Sequence, residues 1–365
     1  MNDCKYLSIC TGCHFPGQSY HLQSAFKLQH LQALLADAGL KYPSIQFKSI
    51  AELGLRTRLD FTIEDGKFGL YDVNRNIVDI DSCLQISDEL QLALTEFRKI
   101  SFPIRKGSVR LRVGPDGNRG VWLDFANTDI KNLLNEKKSL QQLLDLNFTV
   151  EIGQKGKSLV FIKNEFKLGA PLAKPWFQAK FANNNYVSLN CLISSFTQPS
   201  WRSAEVMSDI VLDWVSDLRS GAIAEFGAGI GTFTLPLLAS QFHVDIFESH
   251  AQAASYLQIN ASANNLEKNL EIFIGDYHTQ KVPAGREYPV VLVNPPRSGL
   301  RDFVSEIVRL KPLKCIYISC YPESLACDLK VLKDAGWTLK QVIIVDQFPQ
   351  TKHFETCVLL ERINP

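Results

Sequence analysis

Two residues of this chain have the right types and placement to do covalent chemistry together. Cys320 lies just past an apolar run, in Ile316-Tyr-Ile-Ser-Cys-Tyr-Pro322, and Glu355 opens another, in Phe348-Pro-Gln-Thr-Lys-His-Phe-Glu-Thr356. A thiolate is a strong nucleophile when its pKa is lowered or a base stands nearby. Adding it to carbon 6 of a uracil turns the ring into an enolate whose carbon 5 can attack a methyl donor. A carboxylate then suits removal of the carbon 5 proton, after which elimination frees the thiolate. Taken singly, each residue has a plainer reading: a buried small hydrophobe for the cysteine, a solvated strand-end charge for the glutamate. Cys315 and Cys357, each inside an apolar run, fit the plain reading. Cys320 and Glu355 at two strand ends of one ligand-binding sheet fit it less well.

A glycine loop stands in front of them. Glu225-Phe-Gly-Ala-Gly-Ile-Gly231 follows an apolar strand, and Thr232 to Ala239 is expected to be helical. Glycines let backbone turn sharply and approach a ligand closely. The next strand ends in Glu248, a carboxylate placed to accept from ribose hydroxyls. A nicotinamide cofactor is the alternative, but the spacing is G-x-G-x-G rather than G-x-G-x-x-G. Glu225, two positions before the first glycine, suits the amino group of a methionine moiety, so S-adenosylmethionine (SAM) is favoured. A further strand runs into Asn294-Pro-Pro-Arg-Ser-Gly299. The prolines make a rigid turn able to support a flat ring, and the Asn294 amide both donates and accepts. Asn-Pro-Pro also resembles the Asn-Pro-Pro-aromatic signature of exocyclic-amine methyltransferases, although an arginine follows here.

A second constellation opens the chain. Cys4, Cys10 and Cys13 follow the pattern C-x5-C-x2-C, and Cys83 is a distant fourth. Such a set can hold an iron–sulfur cluster or zinc, and spacing alone leaves both open. Cys10-Thr-Gly-Cys-His14 matches a c-type haem attachment site, which needs export. A redox-catalytic cluster is a further alternative, but uracil methylation from SAM needs no electron.

The elements that must position these residues read as three zones: 1–16, the cysteine segment; 17–194, a mixed α/β domain with an antiparallel sheet; and 195–365, where strands alternate with helices. Helices are expected at Leu22 to Ala38, Asp129 to Leu146 and Ser200 to Leu218. Strands are expected at Ala222–Phe226, Val244–Phe247, Leu270–Ile274, Val290–Val293, Cys315–Ile318, Gln341–Val345 and Thr356–Leu360. That alternation means a parallel, doubly wound sheet with ligands at the carboxyl ends of its strands. No apolar run approaches ~18 residues, and Met1 to Cys13 does not read as a signal peptide, so a cytoplasmic, membrane-free protein is expected. Nine cysteines, an odd number in such a chain, argue against a disulfide framework. A net charge of +1 neither announces nor excludes a nucleic-acid partner.

Ser319-Cys-Tyr-Pro-Glu-Ser-Leu-Ala-Cys-Asp-Leu329, Asn294-Pro-Pro-Arg-Ser-Gly299 and Asp346-Gln-Phe-Pro-Gln-Thr-Lys-His-Phe-Glu355 resemble the signatures of the RNA 5-methyluridine methyltransferase family, along nearly the whole chain. The resemblance implies a class I SAM-dependent (Rossmann-like) α/β domain behind a central α/β RNA-binding domain. It implies Cys320 as nucleophile and Glu355 as base. Around the cofactor it implies Gln198, Glu225, Phe226, Gly227, Gly229, Gly231, Glu248, Asp276 and Asn294. It favours a [4Fe-4S] cluster on Cys4, Cys10, Cys13 and Cys83. With a cluster and no β-barrel in front of it, the chain resembles the shorter 23S rRNA enzymes more than the tRNA-specific ones; a monomer is expected. Departures are Asn294 where many members have Asp, Tyr321 for the usual Asn, Cys327 for a frequent Arg, and Gly227-Ala-Gly229 for Phe-Cys-Gly. They leave the chemistry intact and put detailed substrate contacts in doubt. Arg56, Arg58, Arg105, Lys106, Arg110 and Arg112 are candidate phosphate contacts, or solvated surface charges. A paired target uridine would have to be flipped out. Two other functions compete: an exocyclic-amine RNA methyltransferase using Asn294, and a non-catalytic iron–sulfur RNA-binding factor.

Overall fold

The computed structural model describes residues 4–102, 106–125, 128–181, 185–276, 282, 283 and 285–363. Arg105, among the candidate phosphate contacts, lies outside them. The chain forms two compact units. The first comprises residues 1–19, 51–177 and 190–200, the second residues 20–50, 178–189 and 201–365.

The second unit is built on an eight-stranded sheet. Its elements in chain order are α1 (Tyr20–Asp37), β1 (Ile45–Ser49), α2 (Trp201–Val215), β2 (Ala222–Phe226), α3 (Thr234–Ala239), β3 (His243–Glu248), α4 (Ala251–Ala263), β4 (Leu270–Ile274), β5 (Val290–Val293), α5 (Val304–Leu310), β6 (Lys314–Ser319), α6 (Pro322–Asp334), β7 (Trp337–Asp346) and β8 (Glu355–Arg362). The spatial order is β1-β7-β8-β6-β5-β2-β3-β4. All neighbouring pairs run parallel except those of β8, which lies antiparallel between β6 and β7. Strands buried on both faces need apolar residues at successive positions. In β5, Val291 and Val293 join one core cluster, with Leu31, Ile307 and Leu329. Val290 and Leu292 join the other, with Met207, Leu238 and Leu257. Helices thus cover both faces. Cys315 and Cys357 sit in these cores, as expected from their apolar surroundings.

The sequence reading put residues 20–50 with the central domain. Instead, β1 pairs in register with β7, Ile45 opposite Val342 through Ser49 opposite Asp346, and α1 packs Leu31 and Leu35 into the methyltransferase core. A strand chooses its sheet by long-range pairing, which local periodicity does not encode.

The first unit carries the other eight-stranded sheet, running from Ile77–Asp79 at one edge to Glu165–Gly169 at the other. It is antiparallel except where Arg119–Asp124 meets Phe148–Ile152. The helix expected over Asp129 to Leu146 is two, Ile130–Asn135 and Lys137–Asp145, broken at Glu136. Among the described residues no helix is long and apolar enough to cross a membrane.

Candidate active site

The sheet order reverses between β2 and β5, and such a switch point opens a crevice at the strands' carboxyl ends. The loops after these two strands meet there. The Asn294 N–H donates to Phe226 O (3.2 Å). Gly227 has φ +78, and a Cβ on it would stand 2.9 Å from Asn294 O, so no side chain fits between the strands. At Gly229, φ +59, a Cβ would meet nothing within 4 Å, which leaves the mouth of the loop open. Gly231 does different work: its Cβ would strike Leu235 at 2.4 Å, so it lets the following helix pack down. That helix begins at Thr234, two residues later than expected.

Two carboxylates flank the loop. Glu225 is buried; its Oε2 accepts from Thr234 Oγ1 at 2.7 Å. Its Oε1 is buried with no hydrogen-bond partner among the described residues. Burial pushes its carboxyl up to about 8, and the Glu248 charge adds to this. An orphaned buried carboxylate oxygen is costly, and an ammonium group is its natural complement. Glu248 accepts from Gly229 N and His250 N, both at 2.8 Å; a carboxylate so engaged keeps further lone pairs for hydroxyls. Phe226 stacks on Phe247 at 4.6 Å between ring centroids, deep in the core, so only its backbone faces the loop region. Asp276 is exposed just beyond β4, and Asn294 is half-buried. The open glycine cradle, the orphaned oxygen and Glu248 fit the methionine and ribose parts of SAM.

Cys320 follows β6 directly. Ser319 Oγ accepts from Tyr321 N and donates to Tyr321 O, each at 3.1 Å, and Pro322 starts α6 at a position that needs no N–H. The thiol is therefore fixed at a half-buried turn. Glu355, the first residue of β8, is buried and accepts from Gln347 Nε2. Burial is the main cause that raises both groups, Glu355 to about 8. The Glu355 charge raises the thiol further, whereas Arg297, which donates a hydrogen bond to the thiol, lowers it. The same guanidinium lowers Glu355. The structure thus brings Cys320, Glu355 and Arg297 into one electrostatic unit. Sequence reasoning assigned Arg297 no role, although its place after Asn-Pro-Pro marked it as unusual, and none to Gln347, which lies within the Asp346–Glu355 stretch but whose amide does not by itself name a partner.

The Asn-Pro-Pro-Arg turn has its own support. Asp328 Oδ2 accepts from Leu300 N (2.7 Å) and from Tyr317 Oη (2.6 Å), tying α6, β6 and the residues after Arg297 together.

In the first unit, Gln198 is buried at the end of a tightly held loop. Arg112, fully buried, donates to Leu192 O (3.2 Å), Ser195 O (3.1 Å) and Thr197 Oγ1 (2.8 Å). Arg110 donates to Ser194 O (2.7 Å) and pairs with Asp60, and Arg58 donates to Thr197 O (3.1 Å). Three of the candidate phosphate contacts are thus loop clamps, because their strands turn these positions toward the 191–197 backbone. Arg56 faces the thiols of Cys13 and Cys83. Lys106 is exposed and paired with Glu64.

The four N-terminal cysteines are close enough for Cys83, Cys10 and Cys4 to raise Cys13, which burial, the larger cause, pushes up to about 12. Asp81, two residues from Cys83, ties down the N-terminal segment through Lys5 (2.6 Å) and Tyr6 Oη (2.8 Å). Among the described residues, no group of three or more His, Cys, Asp or Glu side chains is drawn into a metal-binding arrangement.

The sheet order, the glycine crevice at the switch point and the paired carboxylates define a class I SAM-dependent methyltransferase. A family model described as tRNA (Uracil-5-)-methyltransferase matches residues 284–363, and one described as Methyltransferase small domain matches 197–309. An uncharacterized RNA methyltransferase of Bdellovibrio bacteriovorus is 41% identical, the match covering 98% of this chain and 95% of that protein. The 23S rRNA (uracil(1939)-C(5))-methyltransferase RlmD of Shewanella baltica is 26% identical over 98% of this chain and 81% of its own length. The crystal structure of the tRNA (uracil-54, C5)-methyltransferase of Pyrococcus abyssi, in complex with S-adenosyl-L-homocysteine, shares the fold with a TM-score of 0.71 at 22% identity, over 97% of this chain and 86% of that one. The chain belongs to the RNA 5-methyluridine methyltransferase family, and SAM is its cofactor.

Proposed function

We propose that this enzyme methylates carbon 5 of a uridine in 23S rRNA through a covalent bond between Cys320 and carbon 6. The observation that carries the mechanism is the shared electrostatic unit of a half-buried thiol, a buried carboxyl and a guanidinium. Two anions so placed oppose each other's ionisation. With Glu355 protonated near neutral pH, Arg297 stabilises the Cys320 thiolate without an opposing charge. Cys320 Sγ bonds to carbon 6, and the electron pair moves into the carbon 4–carbon 5 enolate. Glu225, Glu248 and the Gly227–Gly231 loop would hold SAM, which would supply the methyl group to carbon 5 and leave as S-adenosylhomocysteine. Once its sulfur is a neutral thioether, Cys320 no longer opposes ionisation of Glu355; the carboxyl releases its proton to solvent and, as the carboxylate, accepts the carbon 5 proton. The carbon 5–carbon 6 double bond reforms and the thiolate leaves. Asn294, Asp276 and, by the family resemblance, Gln198 are proposed to complete the cofactor site.

The choice of 23S rRNA rests on the similarity to RlmD and on the cysteine set. It is tested by mapping 5-methyluridine in rRNA and tRNA from a strain lacking the gene. Loss of one 23S site with tRNA unchanged is expected; loss from tRNA alone would overturn the assignment.

Cys4, Cys10, Cys13 and Cys83 are proposed to hold a [4Fe-4S] cluster, with Arg56 offsetting its negative charge. A cluster here would fasten the N-terminal segment to the first unit and needs no part in methyl transfer. Anaerobic purification should give a brown protein with about four iron and four sulfide per chain, and Cys83→Ser should lose both. A colourless protein with one zinc would reject the cluster.

A further inference from the structure

The buried stripe of α1 is Gln23, Lys27, Leu31 and Leu35. Leu31 and Leu35 serve the core. Gln23 and Lys27 are as fully buried as the leucines, which is unfavourable for an amide and an ammonium unless both are well satisfied. Both are satisfied by the turn that joins β7 to β8. Lys27 Nζ pairs with Asp346 Oδ1 at 2.7 Å and donates to Phe348 O at 3.0 Å. Tyr20 Oη donates to the other oxygen of Asp346 at 2.9 Å. Gln23 exchanges two hydrogen bonds with Gln350, each 2.8 Å. Gln350 is held at φ +64, a left-handed conformation that a non-glycine residue keeps only when its surroundings fix it.

This turn is where the base is set. Gln347, next to Asp346, donates to Glu355, and Glu355 is the first residue after the turn. We propose that Gln23 and Lys27 are positioning residues for the reaction: they fix the Asp346–Gln350 turn, and through it the placement and ionisation of Glu355. The helix lies some 320 residues before the groups it orients, as the hydrogen-bond separations of 319 and 327 show. This inference rests on the assignment of Glu355 as base.

The test uses Lys27→Met, Gln23→Met and, as a reference for simple destabilisation, Leu31→Ala on the same stripe. Each is measured for melting temperature, turnover on unmodified RNA, the fraction of enzyme trapped as denaturant-stable RNA adduct, and the pH midpoint of kcat. Lys27→Met and Gln23→Met are expected to slow turnover about ten- to a hundredfold, the scale of misplacing a reacting group. They should also raise the trapped fraction and move the pH midpoint. Leu31→Ala should lower the melting temperature and leave the trapped fraction and midpoint unchanged. If Lys27→Met does not fold, Gln23→Met, which leaves no buried charge unpaired, decides alone. A wild-type trapped fraction and midpoint in Gln23→Met would overturn the positioning role. A Glu355→Gln enzyme that traps no adduct would instead overturn the base assignment, and this inference with it.

Discussion

Cys320→Ala is expected to abolish methylation, by about 10⁴-fold or more, the scale seen when a covalent nucleophile is removed. RNA carrying 5-fluorouridine at the target should trap the wild-type enzyme as a denaturant-stable adduct, because fluorine cannot leave as a proton, and Cys320→Ala should trap none. The loss follows from what remains. Without a bond at carbon 6, carbon 5 of uracil is too weak a nucleophile for a methyl donor, however well SAM is held. Substrate and cofactor binding should survive, since Cys320 takes no part in the glycine crevice, the Glu225–Thr234 contact or the Glu248 contacts. The rival amine chemistry predicts the reverse: Cys320→Ala active and Asn294→Ala dead. Full activity in Cys320→Ala would end the uracil mechanism. Any turnover of labelled SAM on rRNA by the wild-type protein would exclude a mere binding factor.

The sequence displayed the cofactor sheet because its central strands are buried on both faces. Such strands appear as nearly unbroken apolar runs: Val290–Val293 and Ala222–Phe226 agree to the residue, and β6 and β8 to within one or two positions at each end. Ligand loops at strand ends follow from that architecture, so the places of Cys320, Glu355 and the glycine loop at strand ends were legible. Residues whose meaning depends on a distant partner were not. Ile45–Ser49 is an unremarkable five-residue strand until it pairs with β7. Strand alternation puts Arg110 and Arg112 on one face, but it shows neither that Arg58 joins them across the sheet nor that the face is turned toward the 191–197 loop. Lys27 belongs to no motif in the expected Leu22 to Ala38 helix, and only the fold shows it buried against Asp346.

Glu355→Gln is expected to stop the reaction one step later than Cys320→Ala. The thiolate still adds and carbon 5 still takes the methyl group, but its proton has no acceptor, so ordinary RNA should accumulate as a methylated adduct while turnover falls about 10²- to 10⁴-fold. The wild-type pH profile should carry the same signature. A base must be ionised, and burial holds Glu355 at about 8, so kcat should rise with pH and level off above that value. The sign for stability is opposite. Between the ordinary carboxyl value of 4.5 and about 8, the folded protein keeps a proton that the unfolded chain has released. Wild-type stability attributable to Glu355 is therefore fully present below 4.5 and is lost as pH rises toward 8, by about 1.4 kcal/mol per unit of pH at most. Glutamine, neutral throughout, has no such slope and can still accept the Gln347 hydrogen bond through its amide oxygen. Urea unfolding at pH 5, 6.5 and 8 should therefore show Glu355→Gln gaining on the wild type as pH rises, a variant more stable and far less active. Parallel stability curves would mean that the buried carboxyl is already ionised at pH 5. Its role as a base whose ionisation waits for the Cys320 adduct would then have to be abandoned.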